Sequence, residues 1–344
     1  MKLDERLALV KRNTQEIITE EELRGLLAKK KQPVVYLGTS VTGMPHIGYF
    51  VWATKMADFI RAGFKVKVLL ADIHGALDKT PWDLLEKRYE YYKLVIPALF
   101  DAIGADVSKV ELVKGSDFQL KKEFMFDVLK MSTYVTVHDC TKAASEVVKM
   151  GDSPKLSGLI YPIMQSIDEE YLDADIQYGG ADQRKIFVFA RENLPKLGYR
   201  RRIELMTPLV PGLTPGGKMS SSEKGSKVDL LDDEKIVVEK LNAAYCEQGK
   251  VEGNGVLAFL KYVIMVHKGD NGEQFVIERP EKFGGTIKYA VYEDIERDYA
   301  TNKIHPMDLK KAVAKEINKL LEPIRKKMKG KEKLIKEAYP EHVY

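Results

Sequence analysis

The sequence predicts an α/β protein: a Rossmann-like, doubly wound parallel sheet with a helical insertion, followed by an all-α C-terminal domain. Three observations predict it. Apolar runs at 34–37, 65–72, 110–113 and 176–178 alternate with helical patterns, which is how parallel strands are joined by crossovers. A turn rich in Gly and Pro follows the first run and opens into a helix, an arrangement that binds anions at a helix N-terminus. Beyond about Val228 the strand signal gives way to helical periodicity. A chain of 344 residues can bury a substantial core and divides into two domains.

Residues 1–31 read as two charged amphipathic helices. Leu7, Leu9 and Val10 recur at helical intervals, and Thr19 before Glu20, Glu21 and Glu22 supplies a start for the second. The first strand leads into YLGTSVTGMPHIG, where Gly38, Gly43 and Pro45 force a turn. His46, Ile47 and Gly48 then open an apolar helical run through Phe50, Met56 and Ile60. This spacing is neither the dinucleotide fingerprint nor a P-loop, since no Lys-Ser/Thr follows. The second strand, KVKVLLAD, leaves Asp72 and His74 just past its carboxyl end, where open α/β sheets bind ligands. A lone histidine there is more often a structural hydrogen-bonder than a catalyst. A helix over 84–102 and a strand at 110–113 continue the alternation.

Residues 118–158 are helical and interrupt it, with Phe124, Phe126, Leu129, Met131, Tyr134 and Val135. An apolar insertion of this kind fits a dimer contact or an ordinary core-covering helix. The next stretch, 159–185, is LIYPIMQSIDEEYLDADIQYGGADQRK. Pro is tolerated in a first helical turn, so Pro162 predicts a helix from about Tyr161. Tyr161, Gln165 and Asp168 then fall on one face, among Ile160, Ile163, Met164, Ile167 and Leu172. A polar stripe sunk in apolar surroundings is costly without partners. Protein groups supply them, or else a ligand bearing an amine and a hydroxyl. Gly179 and Gly180 let a ligand approach closely before Asp182 and Gln183.

Residues 212–227, GLTPGGKMSSSEKGSK, hold almost nothing a core can use. The stretch reads as a mobile surface loop. Its centre, Lys218, Met219, Ser220, Ser221 and Ser222, sets an ammonium beside hydroxyl and amide donors. That suits a polyphosphate, and a solvated Lys-bearing loop looks the same. With 55 basic against 51 acidic side chains, net charge alone indicates no nucleic-acid partner. Cys140 and Cys246 lie outside any metal-type spacing, so neither a disulfide framework nor a tightly bound metal is expected. The charged N-terminus and the lack of a long uncharged run read as a cytoplasmic protein with no membrane partner.

Together, HIGY and KMSSS resemble the paired signatures of the class I aminoacyl-tRNA synthetases. YPIMQSIDEEYL, QYGGADQRKIF, VPGLTPGGKMSSS, KRNTQEIITEEEL, PEKFGG and HPMDLK are similar to the archaeal and eukaryotic tyrosyl-tRNA synthetases, across almost the whole chain. Tyr49 departs from the class pattern, standing where a second histidine would be. The resemblance implies activation of L-tyrosine by ATP, carried with Mg2+, and transfer of the tyrosyl group to the 3′ end of tRNA(Tyr) by a homodimer. On that pattern His46, Gly48 and Lys218 serve the phosphates, with Ser220, Ser221 and Ser222 shaping the loop. Gly180 and Asp182 lie by the adenosine. Tyr36 and Asp168 bind the phenol hydroxyl, Tyr161, Gln165 and Gln183 hold the α-amino group, and His74 lines the same pocket. Arg184 and Lys185 meet the acceptor stem, or form a surface charge pair.

The same resemblance divides the chain into N-terminal helices (1–31), a catalytic domain (32–227, with its insertion at about 118–158) and an anticodon-binding domain (228–344). In the last, Phe283 stacks on a base while His305 and Asp308 bond its edge. As isolated residues, Phe283 fits the core and Asp308 fits a helix cap. The basic stretch 325–336 touches RNA phosphates or is a solvated, frayed helix. Three rival readings remain: the same chemistry on tryptophan, a non-catalytic RNA-binding protein on this scaffold, and a nucleotidyltransferase acting on another carboxylic acid.

Overall fold

The structure, a computed structural model, describes residues 1–341 apart from 79, 149, 150, 152, 218 and 220–223. Its sheet contains β1 (Glu16–Ile18), β2 (Val34–Ser40), β3 (Lys65–Ala71), β4 (Val110–Lys114), β5 (Ile176–Gly180) and β6 (Ile203–Thr207). They lie in the order β1-β6-β5-β2-β3-β4. All pairings are parallel except that of β1 with β6, where Ile17 faces Leu205 in antiparallel register. From β2 the chain winds outward through β3 to β4, then returns to the other side of β2 with β5 and β6. The β2–β5 boundary is therefore the switch point, and a crevice opens beyond its carboxyl ends. The antiparallel β1 is absent from the sequence reading: three half-buried residues are too short to display alternation.

The helices start largely where local chemistry directs. Thr19 accepts from Glu22 N–H at 3.2 Å and Glu22 reaches back to Thr19 N–H at 3.3 Å, a capping box that opens the helix Glu20–Lys29. The helix expected from about Tyr161 begins earlier and spans Leu156–Tyr171, with Pro162 in its interior. Its apolar face buries Ile163, Met164 and Ile167, and this packing outweighs the one backbone bond that proline removes. The insertion forms helices Ser116–Gln119, Lys122–Ser132 and Val137–Ala144. Phe124 and Met131 face the core, whereas Phe126, Leu129, Tyr134 and Val137 are exposed.

The C-terminal part is helical, including Glu234–Ala243, Tyr292–Ala300 and Pro306–Met328. It also contains an unanticipated antiparallel pair, β7 (Phe275–Ile277) with β8 (Ile287–Tyr289). Its core is continuous with that of the sheet: Phe259 meets Phe50 edge to face at 6.4 Å. The tail corrects the expectation of a frayed, solvated helix. Met328, Ile335 and Tyr339 are buried, and Arg325 Nε donates to the Asp232 carbonyl at 2.7 Å. Tyr339 donates to the Gly43 carbonyl at 3.1 Å, so the tail packs on the back of the signature turn. Among the described residues, no helix is long and apolar enough to cross a membrane.

Candidate active site

The two signatures, distant in sequence, meet through backbone. Ile47 N–H donates to the Val228 carbonyl at 2.9 Å and Leu230 N–H to the Pro45 carbonyl at 3.1 Å. Between them His46 and Asp229 form an antiparallel bridge. Gly48 caps the helix Tyr49–Arg61, and its N–H donates to His46 Nδ1 at 3.2 Å. That bond assigns the imidazole proton to Nε2. Burial holds the His46 pKa down to about 4, helped by the nearby Lys227 ammonium and opposed by Asp229. The ring is therefore a neutral donor on the cavity wall. A Cβ on Gly48 would come within 2.8 Å of the His46 ring, so this glycine first of all makes room for the histidine. Tyr49 packs edge-on against His46 at 5.3 Å, and its hydroxyl is paired with Tyr92 at 3.0 Å.

Two adjoining cavities fill the crevice. One, about 280 Å³, lies against Gly48, Gly179, Gly180 and Pro208. The other, about 350 Å³, runs down to Tyr36, His74, Tyr161 and Asp168. His46, Gln165, Asp182, Gln183 and Met219 line both. Gly180 serves a neighbour as well as a ligand, since a Cβ there would meet Asp182 Oδ1 at 2.8 Å. Lys218, Ser220, Ser221 and Ser222 lie outside the described residues. Met219, between them, is buried and donates its N–H to the Val210 carbonyl at 3.1 Å.

The second cavity ends on a buried polar floor. Tyr36 donates to the Gln165 carbonyl at 3.3 Å, and the Gln177 amide bonds the Tyr36 hydroxyl. Asp168 Oδ1 accepts from Gln119 Nε2 at 2.7 Å, while Oδ2 has no hydrogen-bond partner among the described residues. Burial raises the Asp168 carboxyl well above the usual range, against the pull of the Gln119 donor. Burial likewise keeps His74 neutral, with a pKa of about 4. Higher on the wall, Gln165 Nε2 donates to Gln183 Oε1 at 3.0 Å, and the Tyr161 hydroxyl bonds Ser40 at 3.3 Å. One end of the cavity thus offers a hydroxyl and a carboxylate, and its middle offers amide and hydroxyl oxygens. The other end opens on a helix N-terminus with a neutral histidine.

The sequence model described as tRNA synthetases class I (W and Y) matches residues 28–322. The chain belongs to that family. It is 51% identical to the cytoplasmic tyrosine–tRNA ligase of Danio rerio over 98% of its own length and 64% of the relative's. It therefore spans a little under two thirds of that vertebrate protein. Against the tyrosine–tRNA ligase of Haloarcula marismortui it is 46% identical, covering 98% of this chain and 97% of that one. The solved tyrosyl-tRNA synthetase of Archaeoglobus fulgidus, complexed with L-tyrosine, superimposes with a TM-score of 0.88 at 41% identity. That match covers 95% of this chain and 100% of the other.

The remaining anticipated residues lie away from the cavities. Arg184 pairs with Glu16 at 2.7 Å, and Lys185 with Glu146 at 2.8 Å, so the two are surface cations with separate acidic partners. Phe283 is exposed on a short turn, not in the core. His305, not Asp308, caps the helix Pro306–Met328, with Nδ1 accepting from Met307 N–H at 3.1 Å. Arg279 ties the two regions together by donating to the Gly285 carbonyl at 3.1 Å and the Lys303 carbonyl at 3.0 Å. Sequence reasoning missed Gln119, Gln177 and the buried pair Lys227–Asp229. Gln119 comes from the insertion, where no local pattern marks it. Gln177 and Lys227 look like ordinary strand and loop residues until the sheet brings them beside Tyr36 and His46.

Proposed function

We propose that the chain is a tyrosine–tRNA ligase. It activates L-tyrosine with ATP to tyrosyl-adenylate and transfers the tyrosyl group to the 3′ end of tRNA(Tyr). The observation that carries this reading is the Tyr36–Asp168 floor: a hydroxyl in the same cavity as a buried carboxylate oxygen that has no donor among the described residues. A phenol fits both, giving its proton to Asp168 and accepting from Tyr36. Indole offers one donor and no acceptor, so tryptophan would give Tyr36 nothing to donate to beyond the Gln165 carbonyl. Phenylalanine would offer Asp168 Oδ2 no donor and Tyr36 no acceptor, a rejection for which tyrosyl-tRNA synthetases are the reference case.

In the first step a carboxylate oxygen of tyrosine forms a bond to the α-phosphorus of ATP, and the bond to the bridging oxygen of pyrophosphate breaks. The attacking carboxylate is already ionised, so no general base is needed; positioning and charge stabilisation supply the rate. Tyr161, Gln165 and Gln183 hold the α-amino group, with His74 packed edge-on against Tyr161 at 4.7 Å. Gly180 and Asp182 border the nucleoside. His46 Nε2–H and the helix N-terminus at Gly48 face the phosphates, and Lys218, with Ser220, Ser221 and Ser222, closes on the leaving group. Mg2+ arrives with ATP and shares its charge.

Arg184 and Lys185 are assigned to the acceptor stem. In the helical part beyond Val228, Phe283, His305 and Asp308 are assigned to the anticodon. The exposed Phe126, Leu129, Tyr134 and Val137 support a second copy of the chain as partner, in the cytoplasm. The test is ATP–pyrophosphate exchange with tyrosine, tryptophan and phenylalanine, followed by charging of a tRNA(Tyr) transcript. Exchange and charging with tyrosine alone are expected. Exchange driven by another amino acid would overturn the specificity, and no exchange would overturn the activity.

A further inference from the structure

Behind Tyr36 the buried polar groups continue. Across the sheet Tyr36 pairs with Gln177, and Gln177 with Glu204. Paired residues on neighbouring strands project from the same face, so the three side chains stand in a row. The helix Leu156–Tyr171 supplies Glu169 to this row, and all four residues are almost fully buried. Gln177 Nε2 donates to the Tyr36 oxygen, yet Gln177 Oε1 and all four carboxylate oxygens of Glu169 and Glu204 have no hydrogen-bond partner among the described residues. Five buried acceptors are too many to leave unmet. A carboxyl that keeps its proton turns one of them into a donor.

The surroundings favour that proton. Burial pushes Glu169 up to about 8, although Arg202, Arg191 and Arg200 pull it down and Asp168 pushes with burial. Burial and the neighbouring Glu169 raise the Glu204 carboxyl well above the usual range, with Glu22 adding to the push and Arg191 and Arg202 opposing it.

We propose that Gln177 and Glu204, with Glu169 behind them, are positioning residues that set the direction of the hydrogen bonds reading the substrate's phenol. The protonated Glu204 donates to Gln177 Oε1. This fixes the amide with its N–H toward the Tyr36 oxygen, so that the Tyr36 proton, which the Gln165 carbonyl accepts at 3.3 Å, is kept on the cavity side and turns from that carbonyl to the substrate's phenol. If Glu204 cannot donate, the Gln177 amide is free to turn its oxygen to Tyr36 and capture that proton. The phenol oxygen would then face a lone pair.

This inference rests on the tyrosine reading above. It is tested by the ratio of kcat/KM for tyrosine over phenylalanine in pyrophosphate exchange. Glu204→Gln keeps a donor of the same shape, and its ratio stays within about 3-fold of the wild type. Glu204→Leu and, independently, Gln177→Met lower the ratio roughly 10- to 100-fold, mainly through the KM for tyrosine. An unchanged ratio in either folded variant overturns the inference, as does a loss in Glu204→Gln as deep as in Glu204→Leu. Wild-type enzyme with no tyrosine-dependent exchange would overturn the functional reading itself.

Discussion

Asp168 Oδ2 lies 3.7 Å from His74 Nε2, beyond hydrogen-bond reach, and no donor among the described residues meets it. The other oxygen is held by Gln119, so the carboxylate is fixed in place with one lone-pair side turned to the cavity. Leaving such a group unpaired costs about 1–3 kcal/mol, which a ligand donor recovers on binding.

The carboxyl titrates above the usual Asp range because burial disfavours its charge. As pH falls through that raised value Asp168 gains a proton and ceases to be a pure acceptor. The KM for tyrosine should therefore rise on acidification, starting above the range where an exposed Asp would titrate. In Asp168→Asn the KM should be high and flat over the same range. Steady-state exchange across pH makes the comparison, and a wild-type KM that stays flat contradicts the assignment.

His46 offers a second pH test with a different outcome. With its pKa near 4 the imidazole stays neutral through the working range, so kcat should show no limb near pH 6.5. His46→Ala should lower kcat about 10²- to 10³-fold, the usual scale for a lost charge-stabilising donor. A limb near 6.5 in the wild type that vanishes in the variant would mean that the charged form acts.

The carboxyls beneath the pocket predict an unusual stability profile. A carboxyl whose folded pKa is raised stabilises the protein fully below its unfolded value and loses that contribution as pH rises through the folded one. For Glu169 the window runs from 4.5 to about 8. Glu169→Gln removes this titration. Relative to wild type, its Tm should therefore climb as pH is raised across the window. A difference in Tm that does not change with pH would mean that Glu169 is ionised throughout.

Much of this was legible in the sequence because it is local. The strand–turn–helix at 34–61 is set by apolar residues and by Gly and Pro punctuation. The face shared by Tyr161, Gln165 and Asp168 needs only helical periodicity. What escaped depends on sheet order. The strand Ile203–Thr207 carries no sequence reading of its own, and Glu204 becomes a buried group only once β1 pairs outside β6. Gln119 reaches Asp168 from the insertion. The tail 325–336 looked solvated because its charges dominate, whereas its few apolar residues, with Tyr339 beyond, decide where it packs.

The insertion carries its own prediction. Phe126 is 65% exposed and Leu129 63%, and Tyr134 and Val137 of the same insertion are exposed as well, apolar surface of the kind that marks an interaction site. Sedimentation should find a dimer for the wild type and a monomer for Phe126→Glu with unchanged circular dichroism. A monomeric wild type at micromolar concentration would remove the second copy from the account.

The most direct test of the central claim is the kcat/KM ratio of tyrosine over phenylalanine, measured by pyrophosphate exchange in wild type and Asp168→Ala. The account predicts a large ratio in the wild type and a fall of roughly 10- to 100-fold in the variant, carried by the loss of tyrosine activity. A ratio that survives the loss of Asp168 would show that the phenol hydroxyl is read somewhere else.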